Sequence, residues 1–210
     1  MLEINEWKHV DIGDHTLQLP ESISSIDLYH VTVRGGVSLE KCTMLEILEW
    51  KHVDIGDHNL QLPASITHLD LDHVTVRGGV SLEKCTLLEE LTLKQVDIED
   101  HNLQLPASIT SIKLDHVTVR GGVLLDICTL LEELKLKHVD IEDHNLQLLA
   151  SITRISLDHV TVPGGVSMEN CTRLSWLTLI HIDIGEHNMQ LPASITSVDI
   201  EHATVRWETH

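Results

Sequence analysis

Residues 88–98 read LEELTLKQVDI and residues 109–119 read ITSIKLDHVTV, two stretches that share one template: the first, fourth, sixth, ninth and eleventh places are apolar. Polar residues at the third, fifth and seventh places make the middle of each stretch alternate with a period of two, which predicts a short strand with one buried face. The same template begins at Leu2, Ile23, Leu45, Ile66, Leu88, Ile109, Leu131, Ile152, Leu174 and Ile195, in alternating steps of 21 and 22 residues. Cys42, Cys85, Cys128 and Cys171, spaced 43 apart, mark the larger unit. The chain is therefore five double repeats, or ten short ones, and a fixed period of this size predicts a solenoid whose repeats bury their apolar faces against one another.

Composition agrees with a strand-built core. Phe is absent, Trp and Tyr together number five, and Leu, Ile and Val must fill the interior. Against 33 acidic residues stand 14 basic ones, a formal charge of −19 with no clustered Lys or Arg. A phosphate-neutralising surface cannot be built from that balance, so neither nucleic acid nor an anionic membrane is expected as a partner. No apolar stretch reaches the ~18 residues of a membrane span, and the first residues have neither the basic start nor the apolar run of a signal peptide. All 210 residues are read as one domain.

The pattern LxxLxLxx followed by an apolar turn resembles the leucine-rich repeat, and the match covers essentially the whole chain. The resemblance implies an α/β solenoid with one parallel sheet on its concave side, one strand per repeat, and convex segments that are extended or briefly 3₁₀ or helical. One departure stands out. The ninth place, Asn in the usual motif, is here Val in eight repeats, Ile182 in the ninth and Ala203 in the tenth, so an apolar ladder replaces the asparagine ladder.

Two loop types alternate. After even repeats an Arg-Gly-Gly or Pro-Gly-Gly turn, such as Gly35-Gly36, leads into VSLEKC or a variant, where one helical or 3₁₀ turn is expected. After odd repeats the text is GDHNLQLPAS or EDHNLQLPAS, whose prolines and alternating leucines predict an extended segment. The cysteines recur two repeats apart, roughly 9–10 Å at ~4.8 Å per strand, and bridging needs alpha carbons within about 7 Å. Free, buried thiols are expected. The resemblance implies disulfide-bonded caps in secreted relatives; none is seen, which favours a reducing, cytoplasmic compartment over a secreted alternative, against one glycosylation pattern at Asn170-Cys-Thr.

Histidine is over-represented, with 16 copies. Nine fill the eighth place of a repeat (His9, His30, His52, His73, His116, His138, His159, His181 and His202) and Gln95 fills the tenth slot, which predicts a column at ~5 Å steps. Five more follow an acidic residue in the odd loops: His15, His58, His101, His144 and His187. Stacked imidazoles are able to share a zinc ion or to sense pH. Copying one unit, however, multiplies any residue without selecting it, so no metal or cofactor is assigned at this level. The Asp-His pairs lack a recurring Ser or Cys nucleophile, and no catalytic group or enzyme activity is expected. The seventh place reads Lys8, Tyr29, Lys51, Asp72, Lys94, Asp115, Lys137, Asp158, Ile180, Glu201, an alternation of sign that predicts a ladder of cross-strand ion pairs broken at Tyr29 and Ile180.

Function is sought where the copies differ. The loops are nearly identical, whereas the third place varies (Glu90, Glu133 and Trp176 in odd repeats, His68 and Arg154 in even ones), and so does the fifth, with Asp27, Glu49, Asp70, Lys113 and Lys135. Variation on strands over a constant frame is how a recognition surface looks in the family that the chain resembles. The candidate ligand-binding residues are Asp27, Tyr29, Glu49, His68, Asp70, Asp72, Glu90, Arg154 and Trp176. The expected activity is binding of a protein or microbial surface ligand through the concave sheet, with a cationic ligand expected on its acidic first strands, as in the sensing region of innate immune receptors. An assembly scaffold, with two copies meeting through a terminal repeat, is the alternative.

Overall fold

In a computed structural model, residues 5–77, 79–98, 103–119, 123–140, 146–162 and 165–207 are described. Ten strands, one per repeat, form a single sheet in chain order: β1 (Asn5–Gly13), β2 (Ser25–Val33), β3 (Ile47–Asp54), β4 (His68–Asp72), β5 (Glu90–Lys94), β6 (Ser111–Asp115), β7 (Glu133–Lys137), β8 (Arg154–Asp158), β9 (Trp176–Ile180) and β10 (Ser197–Glu201). Every pairing is parallel and in the register of the repeat, so that Leu93 lies beside Leu114 and Leu114 beside Leu136. The molecule is a parallel β-solenoid with its core behind this sheet.

Fourth- and sixth-place side chains point inward, as the alternation requires. Leu48, Ile112, Leu134 and Leu177 are fully buried, whereas Val198 and Ile200 at the same places of β10 are exposed, and no polar or charged residue is buried among the described ones. Trp50 takes the sixth place of β3 inside the core, and its indole N–H has no hydrogen-bond partner. Trp7, at the same place of β1, is only partly buried against the core.

Strict alternation would turn the ninth and eleventh places outward, yet Val31, Val33, Val53 and Ile55 are buried. The eighth residue reconciles the two. In all ten repeats it has a left-handed backbone, from φ 48° at His181 to φ 55° at His9, and this single residue resets the alternation so that the ninth side chain turns back to the core. A left-handed conformation disfavours β-branched residues and tolerates Asn, Asp and His best. The ladder continues past the reset from His73 to His181, because the N–H of the eighth residue donates to the seventh-place carbonyl of the next repeat: His73 to Lys94 (2.8 Å), Gln95 to Asp115 (2.8 Å), His138 to Asp158 (2.8 Å) and His181 to Glu201 (2.9 Å). Main chain thus bonds to main chain across the reset.

The return segments contain no helix among the described residues, which corrects the α/β expectation to an all-β one. At VSLEKC the expected helical turn is a two-residue strand, Val37–Ser38, paired with Leu17–Gln18 of the preceding odd loop; Leu60–Gln61 with Val80–Ser81 and Leu146–Gln147 with Val166–Ser167 repeat the arrangement. The chain then closes two consecutive tight turns, Cys42 N–H to Leu39 O (2.9 Å) and Leu45 N–H to Cys42 O (3.0 Å). Odd loops are extended at Leu-Gln, as expected, and then turn, with Ile66 N–H on Pro63 O (3.3 Å). Leu149 makes the same turn without proline, Ile152 N–H reaching its carbonyl at 3.2 Å. Ser and Thr of the ASIT segment clasp the previous repeat: Ser65 Oγ donates to Leu45 O (2.7 Å) and Thr67 Oγ1 to Glu46 O (3.1 Å). Leu2, Ile4, Gly78, His101, His144 and the side chain of His187 lie outside the described residues.

The four cysteines are free and fully buried, with Cys42 Sγ facing Pro20 O at 3.7 Å and Cys85 Sγ facing Pro63 O at 3.8 Å. Burial pushes the thiols of Cys85, Cys128 and Cys171 up to about 11. They are fillers between turns, as their spacing predicted.

The Gly-Gly turn is held by the odd loops on either side. Thr16 Oγ1 donates to Gly35 O (2.8 Å) and Leu17 N–H to Gly36 O (2.9 Å). A Cβ on Gly35 would lie 2.4 Å from Asp14 O, and one on Gly36 would lie 2.9 Å from the His58 ring, which gives this second kind of histidine a packing role. Gly13 is also left-handed (φ 65°), but a Cβ there meets nothing within 4 Å. Gly35→Ala is expected to cost about 1–3 kcal/mol through a forced backbone shift, whereas Gly13→Ala costs only left-handed strain of about 1 kcal/mol. Urea midpoints of the two variants measure the difference, and a smaller loss at Gly35 than at Gly13 would contradict this packing.

Candidate functional site

The outward face of the ten-stranded sheet carries the third, fifth and seventh places of every strand. All nine residues singled out from the sequence lie on it, in two groups. Asp27, Tyr29, Glu49, His68, Asp70, Asp72 and Glu90 stand on β2 to β5, while Arg154 and Trp176 stand on β8 and β9. From β2 to β9 is seven strand steps, or about 33 Å at ~4.8 Å each.

In the first group the fifth places put Glu6, Asp27, Glu49 and Asp70 side by side on successive strands. Like charges at neighbouring positions repel, and partial burial removes water that would screen them. Burial, reinforced by Glu6 and opposed by Lys51, raises the pKa of Asp27. Burial also raises that of Asp70, with Lys94 and Lys51 working against it and Asp72 adding to it. Asp70 Oδ1 is inaccessible to solvent and has no hydrogen-bond partner. His68 is oriented by its neighbour: the Thr67 hydroxyl donates to Glu46 O, so it accepts the His68 Nδ1–H (2.8 Å). Its Nε2 is then turned to Glu90 at 3.6 Å, a contact that becomes an ion pair when the ring is protonated.

In the second group the Trp176 indole is half exposed and lies along its strand, with Nε1–H donating to Thr178 Oγ1 at 3.1 Å. The Arg154 guanidinium stands 6.0 Å from the ring centroid. Between them and Glu133, Lys135 and Ser156 is an open hollow of about 200 Å³. Glu133, which the sequence reading did not single out, organises this region. It takes Lys135 at 2.8 Å and Lys113 at 4.0 Å, and the Lys135 hydrogen bond and charge, outweighing partial burial, hold its pKa low. Glu133 thus offsets part of the positive charge of this region, and no carboxylate lies within 4.0 Å of Arg154 among the described residues. Register pairs Glu133 with Arg154 and Arg154 with Trp176, so a sequence comparison of third places on adjacent repeats would have found the cluster.

The seventh-place row corrects a second expectation. The carboxylates of Asp72, Asp115 and Asp158 turn to the imidazole of the next residue, at 2.5, 2.6 and 2.7 Å, and not to the lysines on adjacent strands. Tyr29 likewise belongs with the imidazoles, its ring edge-on to His30 at 4.3 Å. The column itself is as expected: successive rings are 4.1 to 5.0 Å apart, interrupted at Gln95. Met44, Leu87 and Leu130, each two residues after a cysteine, are more than half exposed.

Comparison with protein-family models, curated proteins and solved structures finds no match for this chain, so its residues and geometry carry the functional argument.

Two outcomes follow from the charges. Desolvation, with His52 and His9 stacked on either side and Tyr29 edge-on, lowers the pKa of His30. A lowered histidine stays neutral in the folded state while the unfolded chain takes up its proton, so stability is lost as pH falls through the unfolded value near ~6.5. The melting temperature should drop between pH 7.5 and pH 5.5, and His30→Gln should reduce that drop. Asp70 has the opposite sign: a raised carboxyl pKa contributes stability at low pH that is lost as pH rises through the folded value. Asp70→Asn should therefore raise the melting temperature at pH 7, with the gain shrinking towards pH 3.5. A constant gain at both pH values would mean that the charge is not its source.

Proposed function

We propose that this solenoid is a binding module of leucine-rich-repeat type, recognising a cationic protein or microbial surface ligand through the outward face of its sheet, as in innate immune sensing. The observation that carries the reading is the Asp70 carboxylate, kept on the sheet with a buried, unpartnered oxygen among like charges. Such a group lowers stability, and a frame copied this faithfully would accommodate a neutral residue there at no loss of fold. A cationic ligand would satisfy the oxygen and relieve the repulsion among Glu6, Asp27, Glu49 and Asp70.

Trp176 supplies the other half of the argument. A half-exposed indole with a guanidinium over it has the composition of an interface anchor. It lies about 33 Å from Asp27, too far for one small molecule to touch both. A macromolecular ligand is the class that spans acidic patch and anchor together, its cations on β2 to β5 and an apolar or aromatic group in the hollow beside Trp176.

Screening the purified chain against cationic proteins, bacterial surfaces and glycan arrays identifies ligands. For any that bind, replacing Glu49, Asp70 and Asp72 together by Ala should weaken binding by about tenfold or more, since lost charge pairs at an interface cost upward of ~1.4 kcal/mol. Replacing Asp14 and Asp57, which sit in the loops and of which Asp57 pairs with Arg77 at 3.1 Å, should leave binding unchanged. Equal losses from both sets would reduce the interaction to the net charge of the molecule and remove the proposed site.

A further inference from the structure

The imidazole column is interrupted only at Gln95 among the described residues, but its chemistry is not uniform, and one step differs from the rest. We propose that Asp158, His159 and His181, where β8 meets β9, form a site for a divalent first-row transition-metal ion such as zinc. Each offers a ligand atom, and these atoms all lie within 4.8 Å of one another. Ligands around a tetrahedral zinc ion at ~2.0–2.1 Å are about 3.4 Å apart, so the exposed rings reach that geometry by side-chain rotation alone. This proposal is independent of the ligand-binding reading above.

Three features prepare the site. The left-handed backbones of His159 (φ 51°) and His181 (φ 48°) project both rings from the same edge, stacked at 4.2 Å. Asp158 Oδ1 lies 2.7 Å from His159 Nδ1, so the carboxylate and this ring nitrogen already face one another, and an ion bound there takes the place of the proton between them. The third feature is what adjoins the pair. At Asp72-His73 the next repeat supplies Lys94 and Gln95, an ammonium and no imidazole. At Asp115-His116 it supplies His138, but with Lys137 beside it. At Asp158-His159 it supplies His181 with Ile180 in the lysine's place. Lys137 faces Asp158 only from the β7 side, away from His181. Beyond His181 stand His202, stacked at 4.7 Å, and Glu201 in the seventh place.

Among the described Asp-His pairs of the column this is the one whose following strand supplies a stacked imidazole and no lysine. Imidazole and carboxylate are donors for zinc, copper(II) and nickel(II), and three protein ligands leave a further position for water. Ile180 reads as the change that turned one member of a copied series into a site: a dication is repelled by the ammonium that odd repeats otherwise carry there.

Calorimetric titration of the full chain with zinc chloride at pH 7.5 tests the proposal, with circular dichroism to verify that each variant is folded. One saturable ion per chain is expected. His159→Gln with His181→Gln should weaken it by at least about tenfold, the lower bound for disturbing a metal's ligand environment. Gln is the replacement of choice because Gln95 already occupies this backbone conformation at φ 50°. Ile180→Lys, which restores the residue type of the other odd repeats without touching a ligand, should weaken it comparably. His30→Gln with His52→Gln removes another stacked pair, at 4.5 Å, and should leave it unchanged. No saturable binding, full binding after loss of His159 and His181, or equal losses from both histidine pairs would each overturn the site.

Discussion

One left-handed residue per turn governs this molecule. A strand that alternates through its fourth and sixth places can bury its ninth and eleventh only if one residue between them breaks the alternation, and the eighth residue does so in every repeat. The break is stable because its N–H still finds the carbonyl of the next repeat, so no backbone group is abandoned at the bend. It also explains the residue found there. Isoleucine or valine would strain the backbone, whereas histidine tolerates it and gains a flat ring that stacks on its neighbours at 4 to 5 Å.

From that reset follow the two surfaces with chemistry. Returning the chain to the core at the ninth place leaves three outward positions per strand, which together make a face ten strands wide. It also lines the imidazoles along one edge of that face. Copying a unit makes both features regular, and regularity makes the exceptions conspicuous: Glu133 gathering two lysines, Trp176 held by Thr178, Asp70 with an oxygen unsatisfied, Ile180 where a lysine would stand. Each exception alters electrostatics or exposure without altering the frame.

Burial and repulsion act against each other on this face. The acidic row on β1 to β4 destabilises the folded chain in proportion to how much water it loses, which is why the carboxyl groups of Asp27 and Asp70 are shifted upward. Solenoids tolerate this well, because each repeat touches only its neighbours and the cost of one strand's charges stays local. The core behind the sheet contains no buried polar residue among those described, so the surface is free to vary.

The ten-strand parallel stack, its register, the inward Leu, Ile and Val, the free buried cysteines and the histidine column were all determined by the sequence alone, since a strict period leaves each repeat only one way to cover its neighbour. The left-handed eighth residue was not read from the three-residue step between the sixth and ninth apolar places; the backbone φ makes it plain. Tertiary structure decided the rest. Whether VSLEKC would form a helical turn depended on Leu17-Gln18 of the preceding loop being within reach to pair with it, a contact 20 residues away in sequence. Whether Asp72 and Asp158 would bridge to lysines or to histidines depended on side-chain direction, and the adjacent imidazole, brought round by its left-handed backbone, is nearer than any ammonium across the strand gap. Local periodicity sets which face a residue takes; which partner it finds there is a matter of angstroms, and those come from the packing of one turn on the next.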